Sequence, residues 1–418
     1  MKNIQIKSAL ILLIITLFGC GKNDDDGSSN LAPEAFELIG VTNGAIEVGL
    51  FPTFSWNDAI DPENDEISYS LIIDSEMQPT TIAETNISGN SVTISNRLKL
   101  FTTYYWKIRA TDTFGNTTES ETFSFTTRNI GISSTPLVEN AGFSARENHN
   151  TIVFENELYV IHGDDGFLFT DLNDVWTSYD GQNWTLKNNN TVFEGRSSPS
   201  TIVFDDELWL IGGQSGLVIY DSDVWRSSNG SNWSLVTSAA PFTGRSGHSS
   251  VVFNDKIWVV GGGYPLNNDV WSSSDGINWA LETASAQFST RLYHSLVVFD
   301  NKMWVIGGLL SNTDYATDVW SSTDGVNWVE SSNNAPFSTN SKSTSVVLDD
   351  KLWVFGPGSI GGSNNLWHTT DGNNWTLAVE NVPFSSRSGY TSTVFNNKIF
   401  IIGGYDFTGH KNDVWVFE

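Results

Sequence analysis

The stretch FTGRSGHSSVVFNDKIWVVGGGYPLNNDVWSSSDGINWAL, residues 242–281, sets out one structural unit in forty residues. A phrase holding Arg245 leads into an apolar run that ends at Phe253. Asn254-Asp255 is a polar turn, and Ile257-Trp258-Val259-Val260 is a second apolar run closed by glycines. After a loop comes Asp269-Val270-Trp271, then Asp275-Gly276-Ile277-Asn278-Trp279. Asp-Gly between apolar runs is a strong hairpin signal. The pattern predicts four short strands.

The unit recurs. Its arginine phrase appears at Arg146, Arg196, Arg245, Arg291, Asn340 and Arg387, each three residues after a Phe, at spacings of 50, 49, 46, 49 and 47. Second runs close in Gly212-Gly213, Gly261-Gly262 and Gly307-Gly308, with departures at His162-Gly163 and Gly356-Pro357. A period near 48 with four strands per period is the signature of propeller blades. The last repeat stops in its third strand at Glu418, and Thr135-Pro136-Leu137-Val138 matches the missing fourth. An N-terminal strand is thus expected to close the ring, which removes the open edge.

The double glycine after the second strand and the tryptophan after the variable loop resemble the kelch repeat. The resemblance covers residues 131–418 and implies a six-bladed kelch-type β-propeller. The Asp-Gly-x-Asn-Trp hairpin is not general to kelch repeats. It is similar to the Asp-box of sialidase propellers but one residue shorter, and sialidase activity is not inferred from it.

The 17 tryptophans could mark either a ligand surface or a repeated core position. Sorting decides for the core. Fifteen fall at three fixed positions of the repeats, and Trp56 and Trp106 precede them. Alternation between Tyr104, Trp106, Ile108 and Ala110 on one side and Tyr105, Lys107 and Arg109 on the other marks a strand with one buried face. Residues 31–128 resemble a fibronectin type III β-sandwich, with Leu98 and Tyr104 matching its tyrosine corner. Asp61, Glu63, Asp65 and Asp112 fall in turns of this segment. None of these turns has a full calcium-loop spacing, so no metal or cofactor is expected from sequence.

Lys2, Lys7 and the apolar run to Phe18 read as a signal peptide over residues 1–19. Leu17-Phe18-Gly19-Cys20 resembles a bacterial lipobox, which implies lipidation of Cys20, the only cysteine. Lys22 and Asp24-Asp25-Asp26 resemble a surface-export signal, and residues 20–30 read as a flexible acidic tether. An outer-membrane lipoprotein displayed on the cell surface is expected, held to the membrane by its lipid alone.

The chain carries 21 basic and 48 acidic residues, a net charge of −27. Such a balance argues against nucleic-acid binding. Removal of residues 1–19 leaves 19 basic residues and a charge of −29.

In an antiparallel blade, the loops between second and third strands share a face with those leading into the first strand. That face carries the variable loops and the arginine series, so function is expected there. The kelch resemblance implies that Arg146, Arg196, Arg245, Arg291 and Arg387 line a central mouth and hold an acidic partner. Their regularity equally fits a tie between neighbouring repeats. His149, His248, His294 and Tyr390 lie three residues after an arginine. Of these, His248, His294 and Tyr390 join the arginines as candidate ligand contacts. Phe167, Phe169, Tyr220, Tyr264, Leu310, Tyr315, Tyr405 and Phe407 mark the variable loops.

The first functional expectation is non-catalytic capture of a polysaccharide, with an anionic one in view. The second is a protein–protein or adhesion scaffold. The third is a carbohydrate-active enzyme, either a sugar mutarotase or a uronate lyase with His248, His294 or Tyr390 as base. Copper-radical oxidase chemistry is excluded, because its Tyr–Cys crosslink needs a cysteine outside the signal region.

Overall fold

The computed structural model describes residues 30–166, 171–216, 218–311, 314–337, 343–356 and 364–418. The signal peptide, Cys20 and the tether up to residue 29 lie outside them, as do Phe167, Phe169, Asn340 and Lys342. Every regular element among the described residues is a strand. The chain divides into two units, residues 1–98 with 102–127, and residues 99–101 with 128–418.

The first unit has two sheets. Leu38–Gly40, Thr53–Trp56 and Ser91–Thr93 form one. The other runs Ala45–Val48, Phe123–Thr127, Thr103–Thr111, Ser68–Asp74 and Ile82–Ile87, with Thr117–Glu119 also on Thr103–Thr111. Tyr104, Trp106, Ile108 and Ala110 are buried and their neighbours less so, as the alternation predicts. They join Phe54, Trp56, Leu71, Leu98 and Phe125 in one core.

The second unit is a β-propeller. Among the described residues it holds five four-stranded antiparallel sheets and a three-stranded one. The first sheet runs Asn150–Phe154, Glu157–Ile161, Val175–Ser178 and Thr185–Asn188 in simple order. The last holds Thr391–Phe395, Lys398–Asp406 and Gly409–Phe417. Neighbouring first strands lie side by side, and Asn150–Phe154 lies against Thr391–Phe395, which closes the circle.

The closing segment differs from the expected strand. It meets the last sheet through two isolated bridges, Ile132 with Phe417 and Val138 with Val414, rather than a continuous ladder. Pro136 stands between them and has no N–H to give.

Tryptophan packing explains the repeat. None of the 17 is exposed. In most repeats each of the three positions has its own acceptor for the indole N–H, while the indole N–H groups of Trp56, Trp106 and Trp375 are buried without one. Trp258 donates to the Phe253 carbonyl at 2.9 Å, Trp271 to Asp269 at 2.7 Å and Trp279 to the Gly276 carbonyl at 3.0 Å. The hairpin glycine of one repeat packs on a second-strand aromatic of its neighbour. A Cβ on Gly276 would come within 2.1 Å of the Trp209 ring, and one on Gly181 within 2.3 Å of Phe400. The Gly181–Phe400 contact joins the first repeat to the last just as the others join neighbours.

Candidate functional site

The five arginines occupy one repeated arrangement. Arg245 sends Nη1 to Asp269 at 2.8 Å and Nη2 to the same carboxylate at 2.9 Å. Its Nη1 also reaches the Gly261 carbonyl at 2.8 Å, and its Nε the Thr243 carbonyl at 3.1 Å. Arg146, Arg196, Arg291 and Arg387 repeat this with Asp174, Asp223, Asp318 and Asp413. All five are between 0% and 2% exposed. The expectation that they face a ligand is corrected by this geometry. At least four of five N–H donors in each guanidinium are spent inside the fold, and an aspartate meets each charge.

The aspartate partners were not singled out from sequence, though a signal was present. The fifth repeat has Asn340 in place of the arginine, and it also has Asn365 where the others have aspartate. A buried aspartate without its arginine is costly, so the two change together. Burial raises the carboxyls of Asp174, Asp269 and Asp318. Hydrogen bonds and charge from Arg146, Arg245 and Arg291 outweigh this and leave them below the usual range.

The glycine pair completes the tie. Gly213 N–H donates to the Arg245 carbonyl at 2.9 Å, Gly262 to that of Arg291 at 2.8 Å and Gly404 to that of Arg146 at 2.8 Å. Gly212 has φ +55, and a Cβ there would lie 2.9 Å from the Arg245 carbonyl. In the first repeat His162 takes this place at φ +58, with its ring stacked on Phe193 at 5.0 Å.

Inside the arginines lies an axial cavity of about 280 Å³. Its walls are rich in hydroxyls, among them Thr151, Ser200, Ser249, Ser295, Thr344 and Thr391. The residue two after each arginine forms its rim. Tyr293 N–H donates to Gly247 at 2.7 Å, Gly247 to Ser198 at 3.2 Å, Ser198 to Asn148 at 2.9 Å and Asn148 to Gly389 at 2.8 Å. All five residues sit in the left-handed region, with φ between +50 and +64. For Asn148, Ser198 and above all Tyr293 this is an uncommon conformation. Their backbones repeat, yet their side chains differ from repeat to repeat and line the cavity. Sequence reading missed these three. Their one sequence signal is a fixed distance of two residues from the repeated arginine.

His149, His248, His294 and Tyr390 also line the cavity wall, each at most 5% exposed. Burial, then the nearby arginine charge, lowers the His149, His248 and His294 imidazoles to about 3. Burial pushes the Tyr390 phenol above its ordinary value. His248 and His294 come from adjacent repeats. Among the described residues no group of three or more acidic, histidine or cysteine side chains is placed to hold a metal.

Beside the mouth runs a groove of about 220 Å³, lined by Tyr220, Tyr264, Leu266, Leu292 and Tyr293. The Tyr220 and Tyr264 rings stack at 6.4 Å with 16° between planes, and Tyr264 is 67% exposed. Tyr293 belongs to both cavity and groove. Tyr315 and Phe407 are exposed elsewhere on these loops, while Leu310 and Tyr405 are half-buried.

Sheet order and closure define the second unit as a β-propeller. The family model for the DUF6242 beta propeller domain matches residues 300–416. Among solved structures the chain is similar to one described as "Structure of YjhT", at 16% identity and a TM-score of 0.56. That match covers 67% of this chain and 96% of the other, and at this identity it speaks for the fold alone. No curated protein matches the chain.

Proposed function

We propose that the protein is a surface lipoprotein that captures a polysaccharide on its propeller without turning it over. Lipidated at Cys20, it would present a fibronectin type III-like sandwich on residues 31–128 and a six-bladed kelch-type propeller on residues 131–418. The observation that carries the reading is Tyr293. It joins an aromatic groove to a hydroxyl-lined mouth, and its strained backbone is held by the rim. A sugar presents an apolar face and a hydroxyl edge, and this surface offers a stacking platform beside hydrogen-bonding groups. Strain of this kind gathers at binding sites, where rigid surroundings hold it.

The paired arginines remove the argument for an anionic glycan and favour a neutral one. Binding is favoured over a lyase because an effective base is poised near neutrality. Imidazoles near 3 and a phenol held protonated are poor bases at that pH. The test is a panel of neutral and acidic glycans on the full chain, with mass spectrometry of the glycans afterwards. Tyr264→Ala should weaken neutral-glycan binding about tenfold, the scale of one stacked aromatic. Glycan mass should not change. New unsaturated uronates would establish the lyase instead.

A further inference from the structure

The axial cavity is not alike all the way round. The first two residues of each sheet's first strand stand on its wall, and their hydroxyls pair across the junctions between repeats. Thr151 of the first repeat pairs with Thr391 of the sixth at 2.6 Å, Ser295 of the fourth with Ser345 of the fifth, and Thr344 of the fifth with Ser392 of the sixth. On that side the hydroxyls satisfy one another. The other side stays open. Asn150 stands where a hydroxyl would pair with the second repeat, and it spends its amide on the Pro199 carbonyl at 2.9 Å and the Thr201 N–H at 3.2 Å. Leu296 stands where the fourth repeat would offer a hydroxyl to the third. Thr201 Oγ1, Ser250 Oγ and both ring nitrogens of His294 are enclosed, with no hydrogen-bond partner among the described residues. All three residues line the cavity, and His294 is 4% exposed. Outside this sector, His149 Nδ1 and Ser343 Oγ are the enclosed wall atoms in the same condition among the described residues.

An enclosed hydroxyl or imidazole without a partner is costly, and in native folds such groups are met by water or a ligand. Two observations favour a ligand over water alone. The open groups fall in repeats two to four, and the aromatic groove is built from the same repeats, with Tyr220 from the second, Tyr264 from the third and Tyr293 from the fourth. The described wall also holds no Asp, Glu, Lys or Arg. A hydroxyl or a neutral imidazole both donates and accepts, which suits an uncharged molecule rich in hydroxyls and offers an ion no opposite charge. We infer that the sector formed by Thr201, Ser250 and His294 is a seat for one neutral sugar unit, either a free monosaccharide or the end of a glycan chain whose next units lie in the groove. The chain-end form rests on the capture reading above, and the seat itself does not.

The test is calorimetric titration of the full chain with glucose, galactose, mannose and xylose, each to about 50 mM, and with short neutral oligosaccharides built from them. Equal affinity for a monosaccharide and its oligosaccharides identifies a free sugar as the ligand, and tighter binding of the oligosaccharides identifies a chain end. The double variant Thr201→Val with Ser250→Ala removes two hydroxyls that hold nothing in the fold. It should weaken binding of those sugars about fivefold without loss of stability in urea. If no polysaccharide binds while a monosaccharide does, and the double variant weakens it, the capture reading falls and the seat stands. Absence of binding by every monosaccharide and oligosaccharide, tighter binding of galacturonate than of galactose, or unaltered affinity in the folded double variant would overturn the seat.

Discussion

Arg245 and Asp269 are two halves of one device. Opening a buried pair by removing one partner costs about 3–5 kcal/mol, because a charge is left uncompensated. Arg245→Ala is therefore expected to lose that much stability in urea unfolding. Arg245→Asn with Asp269→Asn copies the fifth repeat and should lose less than the single change. The buried histidines set a pH dependence of their own. His149, His162, His248 and His294 are held near 3 in the fold, against 6.5 when free. Below 6.5 the unfolded chain takes up protons that the fold refuses. Their contribution is complete above 6.5 and is lost as pH falls toward 3, by up to about 1.4 kcal/mol per pH unit for each. The lowered carboxyls of Asp174, Asp269 and Asp318 add a second loss below about 4, the ordinary carboxylate range. Calorimetry should give a melting temperature clearly lower at pH 5 than at pH 7. His248→Ser, the residue found at Ser343 in the fifth repeat, should flatten that slope.

At the scale of elements, the closing seam is the weak point. Four of the sheets end in a fourth strand paired to the third after a Ser-x-Asp/Asn-Gly turn, as at Ser273 to Gly276. The last sheet has instead the bridges at Ile132 and at Val138, whose N–H reaches Val414 at 3.2 Å and whose carbonyl accepts at 2.8 Å. Val138→Pro removes that donor and should raise hydrogen exchange across Gly409–Phe417 while the Lys256–Gly262 strand stays protected. The strands themselves were legible, because alternation and Asp-Gly turns are local signals. Which way the arginines point was not. That depends on aspartates 24 to 28 residues away and on glycines of the neighbouring repeat, contacts that periodicity does not encode. The rim was hidden for another reason. Its regularity is a backbone conformation, and Asn148, Ser198, Gly247 and Tyr293 share it without sharing a residue type.

For the whole molecule, the charge of −27 first made five arginines stand out as an anion site. The fold turns them inward and spends each on an aspartate of its own repeat, leaving recognition to side chains that vary around a rigid rim. Outward display is a separate expectation, and protease treatment of intact cells should release propeller fragments. The reading of capture rests on Tyr293, and Tyr293→Gly tests it most directly. Gly247 and Gly389 hold the same rim position, so the exchange suits the backbone. Relief of the left-handed strain, about 1 kcal/mol, offsets much of the lost packing. Neutral-glycan affinity of the full chain, measured by calorimetry beside urea stability, should fall at least tenfold with stability within about 1 kcal/mol of the parent. Undiminished affinity in a folded Tyr293→Gly chain would contradict the account.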